Sequence, residues 1–139
     1  MALVGLLEDN TRIARLCATM LQYAGHTVTI YDHPRECLQA LLVAGDPRQQ
    51  TYISPLASVL PIDVLMLDLH LPDISGMEVL RYLRSHPRTK LLPLIFCTAA
   101  PPSEIAQALS IAPEAGIIEK PFTFQELIST VNDVLNALA

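Results

Sequence analysis

At the centre of this chain stands the stretch Asp63-Val64-Leu65-Met66-Leu67-Asp68-Leu69-His70-Leu71-Pro72, in which an apolar run leads to a single carboxylate. A continuous apolar run followed by turn residues, here Pro72 and Gly76, predicts a strand that is buried on both faces, as in a parallel sheet. Burying a lone carboxylate is unfavourable, so Asp68 is expected at the carboxyl end of this strand, where open α/β sheets bind their ligands. The alternative is an aspartate that only begins the turn before Pro72. The ends of the other strands decide between these interpretations.

The composition is typical of a compact globular protein, since 51% of the 139 residues are hydrophobic and 17% are charged. This length fits one domain, residues 1–139, that is large enough to bury a core. No apolar run approaches the roughly 18 residues of a membrane span. The first residues run into the acidic pair Glu8-Asp9 without a basic leader, which predicts a strand and not a signal peptide.

Charge and cysteine usage narrow the function classes further. The net charge of −5 argues against nucleic-acid binding by this chain. Cys17, Cys37 and Cys97 stand far apart in apolar surroundings. They predict reduced thiols in the core of a cytoplasmic protein, and their spacing does not suit a metal site.

Strand and helix patterns alternate about five times along the chain. Beside the run at 64–67, short apolar or β-branched segments predict four more strands, at Ala2–Leu7, His26–Tyr31, Leu91–Cys97 and Ala115–Ile118. Helical patterns follow each strand, among them a weak one at Ser103–Ile111. This alternation predicts an α/β fold in which a doubly wound, five-stranded parallel sheet carries helices on both faces.

The helix ends carry recognisable signals. Asn10 or Asp9 can cap the first helix, and Gly25 closes it. Thr123-Phe124-Gln125-Glu126 is a capping box before the last helix. Helical spacing predicts an apolar face on the first helix, formed by Ile13, Leu16, Cys17, Met20 and Ala24. In the third helix it predicts that three arginines point toward solvent, namely Arg81, Arg84 and Arg88.

The connection at about 45–61 is longer than most connections in compact α/β domains. It is either a mobile surface loop or a small insert held by its apolar half, and we expect Ile53, Leu56 and Val59 or Leu60 to pack on the domain or on a partner. A linker between two domains is excluded because the first 44 residues are too few for a stable core.

Polar side chains follow four of the five predicted strands. They are Glu8 and Asp9, Asp68, Thr98, and Lys120. Since the carboxyl ends of parallel strands share one edge of the sheet, these groups are expected to meet there. Three carboxylates in one place repel one another unless a cation lies among them, and Mg²⁺ suits such oxygen ligands. With an ammonium and a hydroxyl added, the set suits phosphoryl transfer.

The chain resembles the receiver domains of bacterial two-component response regulators. The resemblance extends over nearly the whole length except the 45–61 connection. It rests on four motifs: Glu8-Asp9-Asn10; Leu67-Asp68 with Leu71-Pro72 and Gly76; Thr98-Ala99; and Lys120-Pro121-Phe122. It implies the flavodoxin-like strand order 2-1-3-4-5.

By this resemblance Asp68 matches the phosphoacceptor. Thr98 matches the hydroxyl residue that follows the phosphoryl group, and Lys120 matches the lysine that pairs with it. The resemblance also implies a cis peptide bond between Lys120 and Pro121.

The same resemblance implies a Mg²⁺ site. Asp9 matches a direct ligand, Asp68 a second, and the main-chain carbonyl of His70 the third protein ligand. Glu8 matches an acidic residue that reaches the ion through water. The His70 side chain falls at a variable position that can influence dephosphorylation, and we interpret it as a group at the rim of the site.

Two departures from the family pattern bear on the output: the long connection before the Asp68 strand, and the residue three positions before the lysine. Receivers commonly carry Tyr or Phe three residues before the lysine, and this chain has Ile117. Isoleucine has no ring and a χ1 angle restricted by its β-branch, so a large inward rotation is not expected. We expect Thr98 still to engage the phosphoryl group and the Ser103–Ile111 helix to be the element that moves.

The resemblance implies a cytoplasmic signalling domain that catalyses only its own phosphorylation and dephosphorylation. Its partners would be a sensor histidine kinase or histidine phosphotransfer protein and a downstream effector, with no membrane or nucleic-acid contact of its own and with homodimer formation left open. One alternative is a receiver-like interaction module that works without phosphorylation. A haloacid-dehalogenase-like phosphohydrolase is disfavoured, because such enzymes place a second aspartate where this chain has His70. A flavodoxin-type cofactor binder is excluded by the acidic pair after the first strand.

Overall fold

The computed structural model describes residues 2–42 and 60–137. Strands and helices alternate along the chain, in the sequence β1 (Leu3–Leu7), α1 (Thr11–Tyr23), β2 (Thr27–Tyr31), α2 (Pro34–Leu42), β3 (Val64–Leu67), α3 (Gly76–Ser85), β4 (Leu94–Thr98), α4 (Pro102–Ile111), β5 (Gly116–Glu119) and α5 (Phe124–Asn136).

All five strands belong to one parallel sheet with the order β2-β1-β3-β4-β5. The predicted fold class and strand order are therefore confirmed. Every residue of β3 and of β4 is buried, as continuous apolar runs in a parallel sheet require. Each face of the sheet carries its own apolar cluster, one with side chains of α1 and α5 and the other with side chains of α2, α3 and α4.

The register of the strands aligns their carboxyl ends. Leu7 lies opposite Leu67, Leu67 opposite Phe96, and Thr98 opposite Glu119. The residues that follow β1, β3 and β5 are therefore brought to the same edge of the sheet.

Local signals at the helix ends behave as predicted. The side chain of Asn10 accepts hydrogen bonds from the amides of Arg12 and Ile13, each at 3.1 Å. Gly25 follows α1 with a φ of 97°, in the region that favours glycine. Thr123 accepts a hydrogen bond from the amide of Glu126, which is one half of the predicted capping box.

The predicted apolar face of α1 is correct in part. Cys17 is buried, and Ile13 and Met20 are partly buried against the cluster on that face of the sheet. Leu16 is 51% exposed and Ala24 is exposed too. The helix instead buries three residues that the spacing argument left out, Ala14, Ala18 and Leu21.

Two further expectations were wrong in part. β4 begins at Leu94 rather than Leu91, because Leu91 is exposed and Leu92 closes a turn onto Thr89. Of the three arginines that were expected to face solvent, only Arg81 is exposed, and Arg88 lies beyond the end of α3.

The other two arginines contact the protein. Arg84 has a side chain only 12% exposed and donates to the Thr89 carbonyl and to Glu114, at 3.2 and 2.7 Å. Arg88 donates to the carbonyl of Leu41 at 3.0 Å. Arg84 thus ties the end of α3, and Arg88 the segment that follows it, to neighbouring parts of the chain.

Most of the 45–61 connection, including Ile53, Leu56 and Val59, lies outside the described residues. Leu60, at its end, is partly buried and packs against the cluster on the α2–α3–α4 face. In the described ranges, no helix combines the length and the apolar character needed to cross a bilayer.

Candidate functional site

Three carboxylates meet where β1 and β3 end. Glu8 and Asp68 are 3% and 8% exposed, whereas Asp9 faces solvent. One oxygen of each carboxylate lies within 4.8 Å of the others. The structure thus brings together the acidic side chains that the sequence places after two different strands.

Lys120 reaches the same cluster from the end of β5. Its ammonium donates to Oε1 of Glu8 at 2.5 Å and to Oδ2 of Asp68 at 2.9 Å. Its amide donates to the carbonyl of Thr98 at 3.0 Å, which extends the pairing of β4 and β5 by one residue. The peptide bond between Lys120 and Pro121 is cis, as predicted.

The other oxygen of Asp68 is held by two donors. Oδ1 accepts a hydrogen bond from the hydroxyl of Thr98 at 2.9 Å and one from the amide of His70 at 3.0 Å. The Thr98 oxygen in turn accepts from the amide of Ala100 at 3.1 Å. Asp68 is therefore fixed through both oxygens by groups from β4, β5 and its own loop.

The electrostatics of the cluster follow from burial and from the lysine. Burial raises the pKa of Glu8, and the nearby charge of Asp68 acts in the same direction, although the bond from Lys120 opposes both. Burial by itself would lower the pKa of Lys120. Its hydrogen bonds to Glu8 and Asp68 outweigh that effect, so its pKa is raised and the ammonium stays charged.

One ammonium does not neutralise three carboxylates. The surplus negative charge, together with an all-oxygen donor set, fits a hard divalent cation such as Mg²⁺. The donors present therefore suit a metal at Glu8, Asp9 and Asp68. The assignment of the His70 carbonyl as a further ligand stays a prediction.

Gly76 fixes the loop that follows Asp68. A Cβ atom at this position would collide with the carbonyl oxygen of Asp68 and the Cα of Leu69. The amide of Gly76 also donates to the carbonyl of Leu69 at 2.9 Å. The start of α3 therefore packs directly beneath the loop that carries the buried carboxylate.

The imidazole of His70 lies at the rim of the site. Its Nε2 atom is 2.6 Å from Oε2 of Glu104 on α4, and the two side chains are 60% and 41% exposed. The rim position agrees with the interpretation from sequence. Glu104 was not among the predicted site residues, since nothing in the sequence connects two residues that are 34 positions apart.

Ile117 occupies the position at which receiver domains commonly carry an aromatic residue. It is half-buried on β5 and packs against the apolar cluster on the α2–α3–α4 face. The same cluster holds Ile105 and Leu109 of α4, both only partly buried. The side chain that faces α4 from β5 is thus aliphatic and has no polar group.

The fold agrees with a comparison to known protein families. The model of the response regulator receiver domain matches residues 4–132, so this chain belongs to that family of signal-transduction domains. In general, such domains work with histidine kinases and effector domains.

Individual relatives give the same result. The response regulator SaeR of Staphylococcus aureus is 24% identical over 135 residues, which cover 96% of this chain and 50% of that protein. The chain therefore spans about half the length of the curated relatives it matches.

Solved structures extend the likeness to three dimensions. The chemotaxis protein CheY4 of Vibrio cholerae has a TM-score of 0.74 at 25% identity and covers 96% of this chain and 98% of its own. The receiver domain of the Francisella response regulator 1452 has a TM-score of 0.76 at 21% identity, with both chains covered completely. The latter likeness concerns the fold.

Proposed function

We propose that this chain is a phosphoacceptor of a two-component phosphorelay and that Asp68 accepts the phosphoryl group. The observation that carries the proposal is the set of contacts made by the Asp68 carboxylate. One oxygen accepts a hydrogen bond from Lys120 and the other accepts one from Thr98. Two further carboxylates lie next to it. Phosphoryl transfer depends mainly on positioning and on neutralising charge, and this arrangement provides both.

In the proposed step an oxygen of Asp68 attacks the phosphorus of a phosphohistidine on a kinase or phosphotransfer protein. A P–O bond forms and the P–N bond breaks, with the electron pair and a proton going to the departing imidazole. Lys120 then pairs with a phosphoryl oxygen. The Thr98 hydroxyl, which now donates to Asp68, donates to another phosphoryl oxygen.

Glu8, Asp9 and Asp68, with the main-chain carbonyl of His70, would hold Mg²⁺. A bound ion would neutralise charge between the carboxylates and the incoming phosphoryl oxygens. The surplus of carboxylates over ammonium groups supports this role.

The proposal includes the setting in which the domain works. Residues 1–139 form one receiver domain with a long connection at about 45–61. Its upstream partner is a sensor histidine kinase or histidine phosphotransfer protein, its downstream partner is an effector, and its location is the cytoplasm. It catalyses no reaction beyond its own phosphorylation and dephosphorylation.

Intact mass spectrometry after incubation with acetyl phosphate and Mg²⁺ tests the proposal. The expected result is a gain of one phosphoryl group that disappears in Asp68→Asn and on chelation of the metal. Asp32→Asn is the matched control, because Asp32 follows β2 at the same edge of the sheet but is exposed and outside the carboxylate cluster. Equal labelling of Asp68→Asn would refute the assignment, and no labelling of any variant would favour the interaction module that works without phosphorylation.

A further inference from the structure

The helix α4 is held to the rest of the protein by few groups. Ala108 is its only buried residue, and Ile105, Leu109 and Ile111 pack on the core with partly exposed side chains. Its N-cap residue is Pro101, which offers no side-chain acceptor to the first turn. Few buried contacts and an uncapped end are features of an element that can shift at low cost.

One polar side-chain contact ties this helix to the phosphoacceptor loop. Across residues 2–42 and 60–137, the His70–Glu104 pair is the only side-chain hydrogen bond or ion pair that joins α4 to another part of the chain. Glu104 lies in the first turn of α4, which has no side-chain cap and no fully buried residue. The contact therefore reaches α4 at a turn that no cap holds in place.

The other end of this connection is the reacting group. The amide of His70 donates to Oδ1 of Asp68, so one residue contacts the phosphoacceptor through its main chain and α4 through its ring. A phosphoryl group on Asp68 changes the charge and the acceptor atoms that this amide meets. Any displacement of His70 that results is carried directly to Glu104.

We propose that Glu104 is a positioning residue through which the state of Asp68 is transmitted to α4, by way of His70. This inference rests on the proposed function of Asp68. It provides a route that does not need an aromatic at position 117, where Ile117 has neither a ring nor a polar tip. The coupling would run through this contact, because His70 is bonded to the carboxylate that is phosphorylated and Glu104 belongs to the helix that shifts.

The test follows backbone amide chemical shifts while beryllofluoride and Mg²⁺ are added as a phosphoryl mimic. In the unaltered protein both the amides near Asp68 and Thr98 and those of α4 should respond. In Glu104→Ala the amides near Asp68 should still respond, while the response of α4 falls by more than half. Glu104→Gln keeps an acceptor for the imidazole and should restore most of the α4 response.

Glu78→Ala is the matched control. Glu78 is the third residue of α3 as Glu104 is of α4, so both act on their helix dipole from the same position. Glu78 has no side-chain hydrogen bond or ion pair in the part of the chain that the structure describes. Its removal should leave the α4 response intact, and an equal loss in both variants would overturn the proposal.

A double-mutant cycle with His70→Ala shows whether His70 and Glu104 affect the α4 response together, as a pair, or independently of each other. If the pair carries the signal, His70→Ala with Glu104→Ala should lose no more of the α4 response than either change alone. Losses that add, or an α4 response that survives in Glu104→Ala, would overturn the coupling while leaving the role of Asp68 intact. If the unaltered protein shows no response near Asp68 and gains no phosphoryl mass, the proposed function fails and the coupling fails with it.

Discussion

The centre of the sheet and its α4–β5 edge are packed in opposite ways. β3 and β4 bury every residue, whereas β5 buries Ile118 alone and α4 buries Ala108 alone. Asp68 follows one of the fully buried strands, and the helix that its loop contacts through His70 belongs to the looser edge. For the proposed phosphoacceptor the difference separates two requirements: the carboxylate would have to stay in place for phosphoryl transfer, while a signal needs an element that can shift.

The first prediction, with the largest effect, compares one side chain from each region. Phe96→Ala removes a ring that is fully buried in β4 and should lower the free energy of unfolding by about 3–5 kcal/mol. Ile105→Ala removes a partly exposed side chain from α4 and should cost about 1 kcal/mol, because its site can be filled by solvent. Urea denaturation measures both, and equal losses would contradict the contrast between the two regions.

The second prediction compares two glycines. Gly76→Ala forces a methyl group against the main chain of Asp68, which cannot rotate away, and should cost about 1–3 kcal/mol. Gly116→Ala in β5 places its methyl against the side chains of Val134 and Thr130, at 2.8 and 3.0 Å. These side chains can shift, so the cost should be smaller. Thermal unfolding of the two variants checks the order, and a larger loss at Gly116 would reverse it.

The third prediction concerns the starts of α1 and α4. Asn10→Ala removes the acceptor of two amide hydrogen bonds and should cost about 1 kcal/mol. The hydroxyl of Ser103 in α4 makes no hydrogen bond within the described residues, so Ser103→Ala should stay within about 0.5 kcal/mol of the unaltered protein. A comparable loss for Ser103→Ala in chemical denaturation would show that α4 is held at its start after all.

The fourth prediction has no effect at neutral pH and appears only in alkali. Because the folded protein raises the pKa of Lys120, the stability from its ion pairs is fully present below the unfolded value of about 10.4 and is lost as the pH rises through the folded value. Tyr31, Cys37 and Cys97 contribute losses of the same sign, since burial raises the pKa of Tyr31 and of Cys37 and the hydrogen bond with Cys17 raises that of Cys97. Urea denaturation between about pH 8 and 12 should therefore compare the unaltered protein with Lys120→Met, and the free energy of unfolding should fall more steeply above the unfolded lysine value in the unaltered protein. An equal pH dependence of the two proteins would contradict the inferred hold on Lys120.

Much of the fold and of the candidate site could be predicted because the signals are local. The apolar run before Asp68 indicates a fully buried strand. Glu8 and Lys120 directly follow a strand, and Thr98 is the last residue of one. Parallel strands then bring these residues to one edge without any knowledge of side-chain contacts. The roles assigned to these residues stay predictions.

What could not be predicted depends on distant pairs and on shape. Glu104 is paired with a residue 34 positions away, and its own surroundings in the sequence indicate only the first turn of a helix. Arg84 resembles a solvated arginine until the folded chain brings Glu114 beside it. Leu16 is exposed, whereas the smaller Ala14 and Ala18 are buried, so side-chain size alone does not identify the buried face of α1.

The pairing of β4 with β5 restricts where insertions and deletions can be tolerated in the evolution of this chain. Thr98 lies opposite Glu119, and the amide of Lys120 bonds to the Thr98 carbonyl. Since side chains alternate between the faces of a sheet, one residue gained or lost within β5 would exchange Ile117 with Ile118 and carry the lysine away from the carboxylates. Insertions and deletions that keep the ammonium in place are therefore confined to segments such as 112–115, before the strand begins, where the chain can take up a residue without altering the register.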